Sequence, residues 1–385
     1  MKRQIALVTG DGSGPEMMAE ATRIASKAAL LDDLEIEWVD TPMGWNAYEK
    51  FGDTTPTESL KIAFNIGTIF FGGVGDPEFD KTVGKEKPEM MPEPRALLAI
   101  RKHLGLLLNF RPMRLMPELS HLSRLKSECI PEDGANMVFI RFLLEDSYFG
   151  TSDLRTFVDE KSIDAIGLKM KHGVTGSENL VSELSYYNRS TVMAYFRFAF
   201  RYARSLGLPL ISVDKANVMA RYVLWRKIAQ KIHDAEFPDV ELRHQLVDSA
   251  NMLLFHPEKL HGVIACGNEH GDILSDGAAE MVGGMGLMHS SAINPKTEAA
   301  MFESGAGTAP TLAGLNQANP LGRILTGALM LRHISSSKGA AAIEDAVKAV
   351  LMGGYRTMDI AESDCDAKLV LGCKEMGQKV FDHIP

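Results

Sequence analysis

Gln4-Ile5-Ala6-Leu7-Val8-Thr9-Gly10-Asp11-Gly12-Ser13-Gly14-Pro15-Glu16 decides the fold class. The apolar run Gln4 to Thr9 reads as a short strand, the glycines as a turn, and Met17 to Leu30 as a helix. Strand, glycine turn and helix in that order open an α/β domain. The glycines are spaced G-x-G-x-G and no well-placed acid follows, so this is not the dinucleotide fingerprint. A nucleotide here is expected to bind in a non-Rossmann manner.

Outward from that start, Leu34 to Val39 and Thr68 to Phe71 read as strands, the second ending in the turn Gly72-Gly73-Val74-Gly75-Asp76-Pro77. Lys81 to Pro94 reads as a charged loop. Ala96 to Leu107 reads as a helix carrying Arg101, broken by Asn109-Phe110-Arg111-Pro112. Met137 to Arg141 is a buried strand that delivers Arg141 at its end. Thr151 to Glu183 reads as strands or an arm. Ser190 to Leu206 is helical and Pro209 to Val213 a strand, and a helix starts at Asp214-Lys215-Ala216-Asn217-Val218. Glu241 to Val247 is a strand ending at Asp248, and Gly262 to Cys266 another that leads into a helix with Asp272. Leu321 to Ile334, Ala340 to Met352 and a last segment near Ala367 read as helices.

At 385 residues two domains are expected. The chain is 45% hydrophobic and 24% charged, a globular composition, and a net charge of -9 argues against nucleic-acid binding. Cys129, Cys266, Cys365 and Cys373 have no paired metal spacing, so reduced thiols in a cytoplasmic protein are expected. Met1-Lys2-Arg3 runs into a strand pattern with no long apolar stretch or cleavage site, so no signal peptide is expected. No apolar run reaches the roughly 18 residues of a membrane span.

In His270-Gly271-Asp272-Ile273-Leu274-Ser275-Asp276 the two aspartates are one helical turn apart on one face. They suit a hard cation such as Mg²⁺ or Mn²⁺, although spacing alone reads more simply as an acidic helix start. Arg101, Arg111 and Arg141 sit at element edges, and guanidinium forks bind carboxylates bidentately. A hydroxy dicarboxylate would need such arginines, a divalent ion and an acid/base pair.

These pieces resemble the β-decarboxylating dehydrogenases, which include isopropylmalate, isocitrate, homoisocitrate, tartrate and D-malate dehydrogenases. The resemblance is nearest to the 3-isopropylmalate members. It runs from Gly10-Asp11-Gly12-Ser13-Gly14-Pro15-Glu16 to Gly354-Tyr355-Arg356-Thr357. Its most specific pieces are Leu97-Leu98-Ala99-Ile100-Arg101, Asn109-Phe110-Arg111-Pro112, Ser212-Val213-Asp214-Lys215-Ala216-Asn217-Val218 and Gly271-Asp272-Ile273-Leu274-Ser275-Asp276.

The resemblance implies an α/β fold of the isopropylmalate/isocitrate dehydrogenase type, two α/β domains about a sheet-containing cleft. Residues 1–108 plus 261–385 would form the nucleotide side and 109–260 the substrate and dimerisation domain. It implies substrate arginines at Arg101, Arg111 and Arg141, an acid at Tyr148, a base at Lys215, and metal ligands Asp248, Asp272 and Asp276. Lys215 and Asp248 would reach the site from the partner of a homodimer with shared active sites. The implied reaction is metal-dependent oxidative decarboxylation of a small dicarboxylate with hydride transfer to NAD or NADP, as in leucine biosynthesis. Leu97 and Leu98, before the first arginine, cannot compensate a buried carboxylate and suit an alkyl substituent.

The chain departs from the family pattern in the adenosine loop, Glu303-Ser304-Gly305-Ala306-Gly307-Thr308-Ala309-Pro310-Thr311. Ala306 stands where a histidine is usual, and Thr311 where NAD enzymes carry an aspartate. Glu303, Gly307, Thr308, Ala309, Thr311 and Asn319 are the implied cofactor contacts, and Thr311 selects neither NAD nor NADP. Phe142 stands where a glutamate is usual, and Glu269-His270 where an apolar pair is usual. A tartrate or D-malate type of dehydrogenase, a specialised-pathway dehydrogenase and a non-catalytic ligand-binding subunit are the alternatives.

Overall fold

Residues 1–126, 128, 130, 136–150 and 185–385 are described by a computed structural model. Cys129 and the segment expected as strands or an arm lie outside the described residues. The strands are β1 (Lys2–Val8), β2 (Glu35–Asp40), β3 (Thr68–Phe71), β4 (Leu108–Arg114), β5 (Asn136–Phe142), β6 (Leu210–Asp214), β7 (Leu242–Leu246), β8 (Gly262–Cys266), β9 (His289–Ile293) and β10 (Ala300–Ser304). Among the described residues they form one ten-stranded sheet in the order β2-β1-β3-β10-β9-β4-β5-β8-β6-β7. The outer pairs are parallel, whereas β10–β9, β9–β4 and β4–β5 are antiparallel.

Side chains leave a strand alternately to its two faces, so a sheet covered on both faces needs apolar residues at successive positions. β3 shows this: Phe70 enters one core with Ile5, Phe302 and Ile324, while Ile69 and Phe71 enter another with Val8, Ala63 and Ile100. β5 repeats it, with Val138, Ile140 and Phe142 against Tyr195 and Trp225, and Met137 and Phe139 against Ile264 and Leu274. The first core is closed by the helices Gly14–Ala29, Leu321–His333, Ser337–Met352 and Cys373–His383. The antiparallel strands β9 and β4 join the two halves of the sheet.

Several local expectations are corrected. Residues 81–94 are not a loop but include the short helical segments Val83–Glu86 and Pro88–Met90 and part of a π-helical turn, Glu93–Leu98. The α-helix carrying Arg101 is only Ala99–His103 and continues from that turn. Asn109 to Pro112 do not break a helix; they lie inside β4. Pro112 is tolerated because β9 pairs only with Leu108 to Phe110, leaving the missing N–H on an unpaired edge. The helix expected from Asp214 begins at Ala220. Asp214, fully buried, instead binds Arg226 and the Ala216 amide, which holds the intervening residues in a turn. Asp248 lies in the first turn of the helix Val247–Leu253, and the last helix is Cys373–His383, not near Ala367.

Candidate active site

The first turn of the helix Asn268–Met281 faces the end of β5, which sets aspartates against arginines. Asn268 is fully buried; its amide donates to the Leu143 and Glu145 carbonyls and its Oδ1 accepts from Arg141 Nε at 2.8 Å. Gly271 permits the approach: a Cβ there would stand 3.0 Å from Arg141 Cβ. Arg141 forms an ion pair with Asp272, and Arg111 Nη2 lies 3.0 Å from the same oxygen. Arg111 Nη1 also reaches Asp276 at 3.0 Å and donates to Ser275 Oγ at 2.7 Å, while its Nε donates to Asn109 Oδ1 at 2.8 Å. Arg101, 6% exposed, is paired with Glu303.

Three guanidinium groups this close cost free energy unless anions accompany them. Burial, and then Arg111, pull the Arg141 pKa down to about 9, opposed by Asp272. Asp276 is shifted upward, chiefly by burial, with Arg111 opposing. Tyr148 donates to Asp272 Oδ2 at 3.0 Å and lies under the Arg141 guanidinium, 5.2 Å from its ring centroid. Burial and then the Asp272 charge raise its pKa, so the phenol holds its proton at neutral pH.

These groups line a cleft of about 770 Å³, with Leu97 and Leu98 on its wall and Glu303, Ser304 and Gly305 at one end. The expected arginines, tyrosine and one aspartate are therefore brought together. Lys215 and Asp248 do not line the cleft and instead pair with each other, Lys215 lowering the Asp248 pKa. Among the described residues of one chain, no three His, Cys, Asp or Glu side chains converge as a metal site. Asp272 and Asp276 do present an oxygen-only pair one turn apart, a donor set that suits Mg²⁺ or Mn²⁺ once a third carboxylate joins.

The residues expected to contact a cofactor divide differently. Glu303 is engaged by Arg101. Asn319 is 8% exposed and turned inward, its Oδ1 accepting from the Leu321 amide at 2.9 Å and its amide donating to Asp359 at 3.0 Å. Thr311 and Gly307 are exposed, and Ala309 takes φ 41°, a left-handed conformation costly for a residue with a side chain. Ala306 lends only backbone: its amide donates to Ser304 Oγ at 3.0 Å.

Several site residues had no signal in sequence reading. Ser147 Oγ donates to Glu269 Oε2 at 2.8 Å inside the cleft, and Ser185 and Ser290 also line it. Asp146, fully buried with φ 75°, accepts from Tyr187 at 2.6 Å and Ser185 at 2.7 Å and lies 3.3 Å from Arg221, bracing the turn before Tyr148. The Glu269-His270 departure was the one available pointer. His270 stacks on Tyr222 at 4.7 Å.

The fold is that of a mixed α/β protein with one large central sheet, and three arginines line the cleft beside its antiparallel strands. Residues 4–380 match the family described as isocitrate/isopropylmalate dehydrogenase, and the chain belongs to that family. It is similar to the 3-isopropylmalate dehydrogenase of Oleidesulfovibrio alaskensis, 37% identical over 100% of both chains. It is also similar to that of Cupriavidus metallidurans, 38% identical over 98% of this chain and 99% of the relative. The crystal structure of isocitrate dehydrogenase from Methylococcus capsulatus superposes with a TM-score of 0.80 at 26% identity, covering 99% of each chain.

Proposed function

We propose that this protein is a metal-dependent dehydrogenase. It oxidatively decarboxylates a 2-hydroxy-3-alkyl dicarboxylate such as 3-isopropylmalate, with hydride transfer to NAD or NADP, a step that serves leucine biosynthesis. The observation that carries the reading is the single cluster of Arg111, Arg141, Asp272 and Tyr148 in the cleft, together with the full-length kinship to 3-isopropylmalate dehydrogenases. Arg101, Arg111 and Arg141 would exchange their present carboxylate partners for those of the substrate. Leu97 and Leu98 would cover the alkyl group. Asp272 and Asp276, with Asp248 of a second copy, would hold Mg²⁺ or Mn²⁺. When bound, the ion supplies Lewis acidity at the substrate hydroxyl and the adjacent carboxylate. Lys215, directly or through a water, takes the hydroxyl proton as hydride leaves carbon 2. Carbon dioxide then departs from carbon 3, and Tyr148 returns a proton to that carbon.

Because Lys215 and Asp248 stand apart from the cleft of their own chain, the reading requires a homodimer with shared sites. We place the enzyme in the cytoplasm; no helix among the described residues is long and apolar enough to cross a membrane. Domains at 1–108 plus 261–385 and 109–260 are expected from the resemblance. The packing favours a later return, since β8 and the helix Asn268–Met281 share a core with Met137 and Ile211 of the second half. The polar pair Ser147–Glu269 in the cleft favours a tartrate-type acid as the second reading. Reduction of NAD and NADP across a panel of 2-hydroxy diacids with Mn²⁺ tests both readings. Turnover of 3-isopropylmalate above all others supports the first, selective turnover of tartrate the second. No turnover of any acid would leave a non-catalytic binding subunit.

A further inference from the structure

Arg323, the third residue of the helix Leu321–His333, is 1% exposed, and no carboxylate among the described residues forms an ion pair with it. Its Nη1 donates to the Phe71 carbonyl at 3.3 Å and its Nη2 to the Ala306 carbonyl at 3.2 Å, and its buried Nε has no partner. Burial pulls its pKa down to about 10, opposed by the charge of Glu303, which Arg101 already pairs, and the group stays charged at neutral pH. A desolvated cation held by two long bonds to neutral carbonyls is under-compensated.

Three loops meet above this charge as they leave the carboxyl ends of β1, β3 and β10, the edge of an α/β sheet where ligands bind. The Asp11 amide donates to the Gly73 carbonyl at 3.0 Å, and the Ser13 amide to the Thr308 carbonyl at 2.8 Å. Gly73, at φ 89°, roofs the guanidinium with backbone alone: a Cβ there would stand 3.1 Å from Arg323 Nη2, and its next neighbour is Thr308 Cγ2 at 3.8 Å. The helix places the positive end of its dipole on the same side.

The geometry points to a phosphoanion subsite over Gly73 and Thr308, in which Arg323 supplies from beneath the charge that holds the pyrophosphate of the dinucleotide. The inference rests on the dehydrogenase reading and deepens it. Ala306 and Thr311 bring neither an imidazole nor a carboxylate to the nucleotide, so the cofactor is gripped by its phosphates rather than by its ribose hydroxyls. Arg323 acts through the backbone of two loops and is a positioning and field-supplying residue.

Inorganic pyrophosphate, NAD and adenosine are titrated against the full chain and its Arg323→Gln and Arg323→Lys variants, read by melting temperature and calorimetry. Pyrophosphate is expected to raise the melting temperature of the wild type and to lose that effect in Arg323→Gln. NAD is expected to bind at least about tenfold more weakly to Arg323→Gln, adenosine equally, and Arg323→Lys to keep most of the NAD affinity. Hydrogen exchange on the wild type needs no variant, and pyrophosphate is expected to protect residues 72–76 and 305–312. Equal NAD affinity in a folded Arg323→Gln, or protection confined to other segments, overturns the subsite. Arg323-dependent pyrophosphate binding in a protein that oxidises no 2-hydroxy acid would sink the dehydrogenase reading and leave the subsite standing.

Discussion

The Tyr148 hydroxyl donates to one oxygen of Asp272 at 3.0 Å, while the other oxygen of that carboxylate faces Arg111 at 3.0 Å and is paired with Arg141. Proton donor, substrate clamp and metal ligand of the proposed reaction thus share one carboxylate. A cation or substrate that re-aims Asp272 also frees the tyrosine and both arginines.

Tyr148→Phe removes the hydroxyl and almost no volume. We expect kcat to fall by roughly 10²–10⁴ with little change in KM for the diacid, because the arginine clamps remain. Steady-state kinetics check this, and a wild-type kcat would take Tyr148 out of the proton path.

Asp272→Asn keeps shape and loses charge. The Mn²⁺ concentration for half-maximal activity should rise by at least about tenfold, and direct Mn²⁺ titration by calorimetry should show the same loss. Unchanged Mn²⁺ affinity would move the ion elsewhere.

Lys215→Ala and Tyr148→Phe chains, each inactive alone, should complement when unfolded together and refolded. With sites shared across a two-fold dimer, half the dimers are hybrids and each hybrid has one intact site, so about a quarter of wild-type activity returns. If each site lay within one chain, every hybrid site would carry a defect and nothing would return.

Thr311→Asp combined with Ala306→His should raise the NAD-to-NADP preference. A carboxylate accepting from the ribose 2′-hydroxyl contributes about 1.5–3 kcal/mol, or on the order of ten- to a hundredfold in the ratio of kcat/KM values. An unchanged ratio would mean that the adenosine lies away from this loop.

Acid should destabilise the fold below the ordinary histidine range. His244 and His289 are both shifted downward, chiefly by burial. The unfolded chain therefore binds more protons than the folded one as pH falls below about 6.5. Stability held above that pH is lost on acidification. Melting temperature should drop between pH 7.5 and 5.5, and His244→Gln should make the drop shallower. A melting temperature independent of pH in that window contradicts this account.

By itself the sequence determined the α/β class, since an apolar strand, a glycine turn and a helix follow one another from Gln4 to Leu30. It also determined the strand and helix that carry Arg141 and Asp272, through strong local patterns. It misjudged Asn109 to Pro112, because a proline reads locally as a breaker and only the pairing of β4 with β9 shows that its missing N–H is harmless. Tertiary structure alone decided the rest of the site. Ser147 meets Glu269 across 122 residues of chain, and Arg323 meets Ala306 beneath a glycine loop whose closeness depends on three strand ends coming together. It also decided that Lys215 and Asp248 stand away from the cleft. Spacing along a chain reports which face of one element a residue occupies, whereas distance between elements depends on how they pack.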